Sequence, residues 1–219
     1  MIDWQGYIGL ILDGAAVTAE LTVMGAALAV VAAFAAGLGR VSRYWPLRAL
    51  ATVYIEFFRG TSIFVQLFWV YFVLPFAGIT LQPLQAGVLA LGLNVGAYAA
   101  EVVRGAILAV PRDQIEACVA LNLTRGQRMR NVILPQALPL MLPTFGNNGI
   151  ELLKGTAVVS LISLKDMTFQ AQVVRAQTGS TLIPFATILV LYFLFASLIG
   201  WAMRRLERRV TRGLDGVRA

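Results

Sequence analysis

The chain has 219 residues, of which 58% are hydrophobic, and its mean hydropathy of +0.76 lies outside the range of soluble domains. Its formal net charge is +7. Histidine is absent and Cys118 is the only cysteine, which excludes a His-ligated metal site, a Ser-His or Cys-His catalytic pair and a disulfide within the chain. No GxxxxGK[ST] phosphate-binding loop occurs, so ATP is not bound by that route. We therefore expect a membrane protein that is not an enzyme by itself and holds no metal or cofactor.

Long apolar runs predict five transmembrane helices. About 20 apolar residues are enough for a helix to cross a hydrocarbon core of roughly 30 Å. Backbone groups in lipid must be hydrogen-bonded within the segment, so such runs form helices. The predicted spans cover about residues 15–38, 49–74, 83–108, 136–160 and 182–203. The expected fold class is an all-α membrane protein, with residues 1–219 in a single transmembrane domain.

The distribution of basic residues predicts the orientation in the membrane. Fourteen of the 18 basic residues follow the first span, surround segment 111–135 or lie in the tail after the last span. The positive-inside rule then places the N-terminus outside and both segment 111–135 and the C-terminus in the cytoplasm. No Lys or Arg precedes Arg40, which argues against a cleaved signal peptide. Anionic lipid headgroups account for the excess charge, so we expect a membrane-lipid partner and no nucleic acid.

The polar segment 111–135 predicts two short capped helices between apolar runs. Asp113 followed by Glu116 has capping-box spacing, which predicts the start of the first helix. Asn122 predicts its end, because Asn tolerates the left-handed conformation. Thr124 followed by Gln127 is a second capping box. It predicts a second short helix that runs into Leu134 and Pro135 at the start of the next span. Two capped helices in one loop indicate a rigid docking element.

The spacing in this segment also resembles a motif of the permeases of ATP-binding-cassette (ABC) importers. That motif is Glu-Ala-Ala, three residues, Gly, nine residues, Ile, one residue and Leu-Pro. The matching positions are Glu116, Ala117, Cys118, Asn122, Val132, Leu134 and Pro135. Cys118, Asn122 and Val132 depart from the motif but keep its small, left-handed-tolerant and β-branched character. The resemblance implies that the segment docks into a separate ATPase through these residues and Asp113. An ordinary ordered cytoplasmic loop is the alternative.

The three acidic residues well inside the spans each have a basic residue three positions later, whereas Glu20 lies near the outer end of the first span. The pairs are Glu56–Arg59, Glu101–Arg104 and Glu151–Lys154. This spacing places both charges on one helical face, and charges at membrane depth normally face a bundle interior or a water-filled cavity. We predict a substrate pathway that includes Glu56, Arg59, Asn147, Glu151 and Lys154, and interfacial anchoring or docking for Glu101–Arg104. Neutralisation within each helix is the alternative for every pair.

Three further segments are similar to the polar amino acid permease family within the ABC importers. They are residues 57–67, 96–105 and 143–156, and the likeness covers most of residues 15–203. The resemblance implies the type I importer fold and import of a polar amino acid or related zwitterion, with compatible solutes such as ectoine left open. The chain departs from the family at Ser62, Gly155 and Ala157.

The same resemblance implies a set of partners in the bacterial cytoplasmic membrane. They are a cytoplasmic ATP-binding subunit that holds ATP and Mg, a second permease subunit that is identical or paralogous, and an extracytoplasmic solute-binding protein. The sequence leaves one alternative open, a channel or structural membrane subunit that works without an ATPase. A secondary transporter is disfavoured by the small size and by the lack of an internal repeat.

Three other stretches carry structural expectations. Pro139 and Pro143 predict a fourth span whose hydrogen-bond ladder is interrupted twice, with a simple proline kink as the alternative. The three glycines Gly87, Gly92 and Gly96 predict close approach of a neighbouring helix to the third span. Segment 163–180 is predicted to lie outside as a short amphipathic helix that contacts the solute-binding protein, with a solvated loop as the alternative.

Overall fold

A computed structural model describes residues 4–212, and the ordered elements in that range are all helical. The α-helices are α1 Trp4–Arg40, α2 Trp45–Gly60, α3 Ile63–Phe68, α4 Pro83–Leu108, α5 Arg112–Ala120, α6 Arg125–Arg128, α7 Leu134–Gly155, α8 Met167–Thr178 and α9 Leu182–Arg212. Two π-helical turns, Trp69–Val73 and Met129–Ile133, and two 3₁₀ helices, Leu74–Ala77 and Thr156–Ile162, join them. The all-α expectation is confirmed.

Within the described residues, three helices are long and apolar enough to cross a membrane: α1, α4 and α9. A fourth candidate is a bent pair, formed by α2 and the helical segment Ile63–Ala77 at 105° to each other. The predicted third span coincides with α4, whereas the predicted second span is broken near Gly60 rather than straight. Helix α7 has 22 residues and carries Glu151 and Lys154.

Helix α7 is continuous where the sequence predicted interruptions. It passes through Pro139 and Pro143 as one helix, so each proline interrupts the hydrogen-bond ladder without breaking the helix. The second short helix runs into the next span as predicted: α6 continues through the π-helical turn Met129–Ile133 into α7. Each proline removes only one ladder hydrogen bond, and neighbouring helices in a bundle can satisfy the carbonyl that is left.

Helix α4 is the centre of the bundle and packs against α1, α2 and α7. Its glycines allow this contact, as the sequence predicted. A Cβ atom on Gly92 would lie 2.9 Å from Leu28, and one on Gly96 would lie 2.9 Å from the Cβ of Ala32. A Cβ on Gly87 would lie 3.2 Å from a methyl group of Leu21. Larger residues at these positions would push α1 away from α4.

Segment 163–180 contains the predicted amphipathic helix, here α8. Its buried residues are Met167, Gln170, Ala171 and Val174, and it packs against α1 and α9. The carboxylate of Asp166 caps its N-terminus by accepting hydrogen bonds from the N–H groups of Phe169 at 2.9 Å and Thr168 at 3.2 Å. The alternative of a solvated loop is therefore wrong.

Candidate functional site

The polar segment between α4 and α7 begins with α5, but not through the predicted capping box. Pro111 occupies the N-cap position with an extended backbone and makes no side-chain cap. Helix α5 begins directly after Pro111, whose ψ of 144° is outside the helical range, so Asp113 falls inside the first turn instead of preceding it. Asp113 is exposed, and its charge is favourable near the positive end of the helix dipole.

The end of α5 follows the prediction closely. Asn122 has φ 55°, the left-handed conformation expected of it. The N–H of Leu123 donates to the carbonyl of Cys118 at 3.0 Å, and the N–H of Asn122 donates to that of Val119 at 2.9 Å. These two bonds form a Schellman motif, which satisfies the last carbonyls of the helix. Asn122 therefore sets the angle at which the chain leaves α5.

The second predicted capping box is confirmed at Thr124. The Thr124 N–H donates to the side-chain oxygen of Gln127 at 2.8 Å, and the Gln127 N–H donates back to the Thr124 hydroxyl at 3.4 Å. Only two residues separate the Asn122 turn from the start of α6. The two helix ends are thus joined by a short, hydrogen-bonded corner, as a rigid docking element requires.

The predicted docking residues do not all lie on one surface. Glu116 and Ala117 are exposed on α5 and Pro135 is exposed on α7, whereas Leu134 is half-buried. Cys118 is 4% exposed, so it supports the loop from within rather than facing a partner. Sequence reasoning missed Val119 and Leu121, which are 55% and 74% exposed around the α5 C-terminus. Both side chains lie on the same segment as the exposed Glu116 and Ala117.

Glu101 joins α4 to α1 through charge, and its partner Arg40 extends the contact to α2. Its carboxylate lies 2.8 Å from the Nε of Arg104 on α4 and 3.4 Å from the Nε of Arg40 on α1. Arg40 also donates to the hydroxyl of Thr52 on α2 at 2.6 Å. The predicted Glu101–Arg104 pair is confirmed, and Arg40 is a partner that the i, i+3 pattern did not reveal. All four side chains belong to the end of the bundle from which segment 111–135 leaves.

The other two predicted acid–base pairs do not form ion pairs in the part of the chain that the structure describes. Glu56 and Arg59 are exposed on α2, and the Arg59 guanidinium instead lies over the ring of Tyr98, 5.3 Å from its centroid. Glu151 and Lys154 are likewise exposed on α7. Neutralisation within the helix stays the alternative for both pairs, although no ion pair joins their partners among the described residues.

The predicted pathway residues on α7 share one face. Asn147, Glu151 and Lys154 follow one another at spacings of four and three, and all three are exposed. Lys154 borders a groove of about 610 Å³ between α7 and α9 that is lined mostly by apolar side chains. Helix α2 packs against α1 and α4 rather than α7, so Glu56 and Arg59 belong to a different surface of the same chain.

A polar clamp at the break after α2 was not expected from the sequence. The side-chain amide of Gln66 donates to the carbonyl of Phe58 at 2.9 Å and to the Thr61 hydroxyl at 2.6 Å. The amide of Asn94 on α4 donates to the same Phe58 carbonyl at 2.9 Å and to the side-chain oxygen of Gln66 at 3.1 Å. The clamp satisfies carbonyls that the broken helix leaves unpaired. Polar residues next to Gly60 were the available signal for it.

A second polar cluster surrounds Asp166, whose side chain is fully buried. Burial raises the pKa of Asp166 to about 6, against the lowering effect of the hydrogen bonds from Phe169 and Thr168. The adjacent N–H of Met167 donates to the Thr18 hydroxyl on α1 at 3.1 Å. The Thr168 hydroxyl lies 3.2 Å from the Tyr192 hydroxyl on α9. This cluster fixes α8 to two long helices. Within residues 4–212 no group of three His, Cys, Asp or Glu side chains converges as a metal site would require.

Comparison with known proteins identifies the family of this helical bundle. Residues 25–212 match the family of binding-protein-dependent transport system inner membrane components. The chain belongs to this family. The permease is 44% identical to the probable amino-acid ABC transporter permease protein y4tF of Sinorhizobium fredii, over 96% of this chain and 91% of that relative. It is 37% identical to the glutamine transport system permease protein GlnP of Escherichia coli, over 95% of this chain and 97% of that relative.

Solved structures show the same architecture. A crystal structure of an amino acid ABC transporter with histidines superimposes on 95% of the permease and 99% of that chain, with a TM-score of 0.86 and 34% identity. The MetNI methionine ABC transporter in an inward-facing conformation superimposes on 96% of the permease and 99% of that chain, with a TM-score of 0.81 and 25% identity. The resemblance to ABC importer permeases, the type I importer fold and the inner-membrane location are thereby confirmed.

Proposed function

We propose that this permease is one of two membrane subunits of an ATP-driven importer for a polar amino acid or a related small zwitterion. The observation that carries the proposal is the corner of α5 and α6, where a Schellman motif and a capping box rigidify a loop with exposed apolar side chains. Relatives named for amino acids, glutamine and L-cystine support the solute class. Ectoine and other compatible solutes belong to the same zwitterionic class.

The proposed topology has five spans, with the N-terminus outside and the C-terminus in the cytoplasm. The spans are α1, the bent pair of α2 and segment 63–77, α4, α7 and α9. The fourteen basic residues on the side of segment 111–135 support this orientation. In a variant with Cys118 replaced by Ala, single cysteines at 125–130 should resist a membrane-impermeant thiol reagent applied to intact cells. Labelling of those cysteines from outside would overturn the orientation.

The proposed coupling surface consists of the exposed residues around the α5–α6 corner. Asp113, Glu116 and Ala117 on α5, together with Pro135 at the start of α7, would contact a groove of a separate cytoplasmic ATPase that binds ATP and Mg. Val119 and Leu121 add apolar contact area. Cys118, Asn122 and Leu134 would act indirectly, because they hold the corner in shape.

The proposed solute pathway uses charges that have no ion pair within the described residues. Glu151, Lys154 and Asn147 form an exposed stripe on α7, and Glu56 and Arg59 form an exposed patch on α2. Unpaired charges at membrane depth are costly in lipid and are expected to face water or a second permease. A zwitterion needs one cationic and one anionic contact, and each set offers both. An extracytoplasmic solute-binding protein would deliver the solute.

The test is ATP-dependent uptake by proteoliposomes that contain the permease, its ATPase and its solute-binding protein. Uptake of a labelled polar amino acid should require ATP and all three components. A matched preparation with the hydrolysis-inactive ATPase is the control. Equal uptake without ATP or without the ATPase would show a channel instead. ATP-dependent uptake that no polar amino acid supports, but ectoine does, would correct the solute class while leaving the importer in place.

A further inference from the structure

The C-terminal part of α9 carries a basic aromatic face. At 100° per residue, Trp201, Arg204, Arg205, Arg208 and Arg209 fall within an arc of about 140°. All five side chains are exposed, and Trp201 is 50% exposed. We call these five residues the arginine face.

The arginine face points away from the bundle. Helix α9 packs on α7 through its opposite side, where a Cβ on Gly146 would lie 3.2 Å from Met203 and one on Gly149 would lie 3.5 Å from Ile199. Both residues lie about 160° from Trp201 around the helix. The arginine face therefore takes no part in the packing of α9 on α7.

Two of the guanidinium groups lie back toward the apolar part of α9. The Cζ of Arg205 is 4.6 Å from the centroid of the Trp201 ring. The Nη1 of Arg204 lies 3.2 Å from where a Cβ on Gly200 would be. In the part of the chain that the structure describes, the ion pairs are those of Glu101, and none involves an arginine of this face. The planar fork of each guanidinium is suited to bidentate contact with a phosphate group.

An exposed apolar stripe precedes the arginine face along the same side of α9. Val190, Leu194 and Leu198 are 56%, 53% and 60% exposed and lead to Trp201 at intervals of three or four residues. Such side chains suit lipid tails, and tryptophan is enriched where tails meet headgroups. The four arginines begin at that level, which is where lipid phosphates lie.

We propose that the arginine face binds the phosphate headgroups of anionic phospholipids. Charge complementarity selects this occupant. A second copy of the chain in a two-fold contact would place the same four arginines against each other. A zwitterionic lipid offers a phosphate but also a cation that the guanidinium groups repel, whereas an anionic lipid offers the phosphate alone. The inference requires only that α9 spans the bilayer, and it holds for either orientation and any solute.

The experiment measures which lipid lies next to Trp201. The full-length chain, with Trp4, Trp45 and Trp69 replaced by Phe, is placed in nanodiscs of phosphatidylglycerol and phosphatidylcholine in equimolar amounts. Tryptophan fluorescence is compared between discs in which only the phosphatidylglycerol is brominated and discs in which only the phosphatidylcholine is. Because composition is identical in both arms, the difference in quenching reports the local preference. Each engaged arginine is worth roughly a fivefold preference at low salt.

We expect at least about a fivefold preference for phosphatidylglycerol, which should shrink at high salt as the charges are screened. The double substitution Arg205→Gln with Arg208→Gln should reduce it at least about fivefold. Arg125→Gln with Arg130→Gln removes the same charge from the α6 region and should leave it unchanged. Equal quenching in both arms for the chain that keeps Trp201 as its one tryptophan and all four arginines would overturn the proposal, whatever the arginine variants show. An equal loss of preference in the control pair would overturn it too, because the effect would then follow net charge.

Discussion

Replacing Asn122 with valine should uncouple the permease from its ATPase. Asn122 has φ 55° and carries the Schellman turn that ends α5. A left-handed backbone costs an ordinary L-residue about 1–2 kcal/mol, and a β-branched residue resists it more strongly than asparagine does. Glycine has no such cost. Asn122→Gly is therefore the matched control, because it removes the side chain but keeps the turn.

The size of the effect follows from the two hydrogen bonds of the turn. Each is worth about 0.5–1.5 kcal/mol, so the valine variant loses about 1–3 kcal/mol if the turn opens, or carries about 1–2 kcal/mol of backbone strain if the turn holds. Helix α5 has only nine residues, and isolated helices of that length are marginal in water. The loss should thus remain local and fray the end of α5, since the core around α4 does not depend on it.

The assay is solute-stimulated ATP hydrolysis by the complete transporter in nanodiscs, with hydrogen exchange of the α5 amides measured in parallel. A loss of about 2 kcal/mol corresponds to a roughly thirtyfold drop in the population with an intact corner. We expect stimulation in Asn122→Val to fall at least about tenfold and α5 exchange to rise, with normal expression. Asn122→Gly should keep both values close to those of the parent. If the valine and glycine variants coupled equally well, the argument that this turn positions the docking surface would be refuted.

Three further predictions concern charged side chains. Glu116→Lys should abolish solute-stimulated ATP hydrolysis without changing the affinity of the solute-binding protein for its ligand, because it reverses an exposed charge on the proposed docking surface; unimpaired coupling would remove Glu116 from that surface. Glu151→Gln and Lys154→Met should each lower uptake at least about tenfold. Expression should change little, because substitutions at exposed positions typically change the free energy of unfolding by under about 0.5 kcal/mol. Glu20→Gln, which changes an exposed acid on α1, is the control, and normal uptake in both α7 variants would exclude Glu151 and Lys154 from the pathway. Asp166→Asn should flatten the pH dependence of the melting temperature. The pKa of Asp166 is raised from 3.8 to about 6 in the fold. Below pH 3.8 the carboxyl is protonated in both the folded and the unfolded chain, and its raised pKa does not affect the free energy of unfolding. Above pH 6 the raised pKa lowers that free energy by up to about 3 kcal/mol, so stability falls as pH rises between these values. The asparagine variant keeps the cap, and an unchanged pH profile would contradict the burial of a charged Asp166.

The sequence predicted the α5–α6 corner well because its determinants are local. A left-handed turn depends on Asn122 itself, and a capping box depends on Thr124 and Gln127, three residues apart. The same holds for α4, whose bounds follow from one uninterrupted apolar run. The prediction that α5 begins with a capping box at Asp113 was wrong for an equally local reason, because the helix already begins at Arg112, directly after Pro111.

Partners from other helices could not be predicted from spacing. The i, i+3 pattern is identical in the three acid–base pairs, yet only Glu101–Arg104 forms an ion pair among the described residues, and Arg40 on α1 shares it. The sequence shows Asn94 only as a polar residue in an apolar run. Its partner, the carbonyl of Phe58, is available because α2 ends opposite to it. Asp166 is buried only because α8 docks between α1 and α9. Each outcome depends on which helices meet, and composition does not specify that.

The polar side chains of the bundle divide according to whether a neighbouring helix satisfies them. Gln66, Asn94 and Asp166 are hydrogen-bonded to backbone or side-chain groups and fix the geometry of a break or a helix end. Glu151 and Lys154 have no ion pair within the described residues and remain exposed on the single chain. Since lipid would not solvate such charges, their exposure argues that a second surface or a water-filled cavity completes them in the assembled transporter. The satisfied groups therefore belong to the scaffold, and the unsatisfied ones are the residues on which transport should depend.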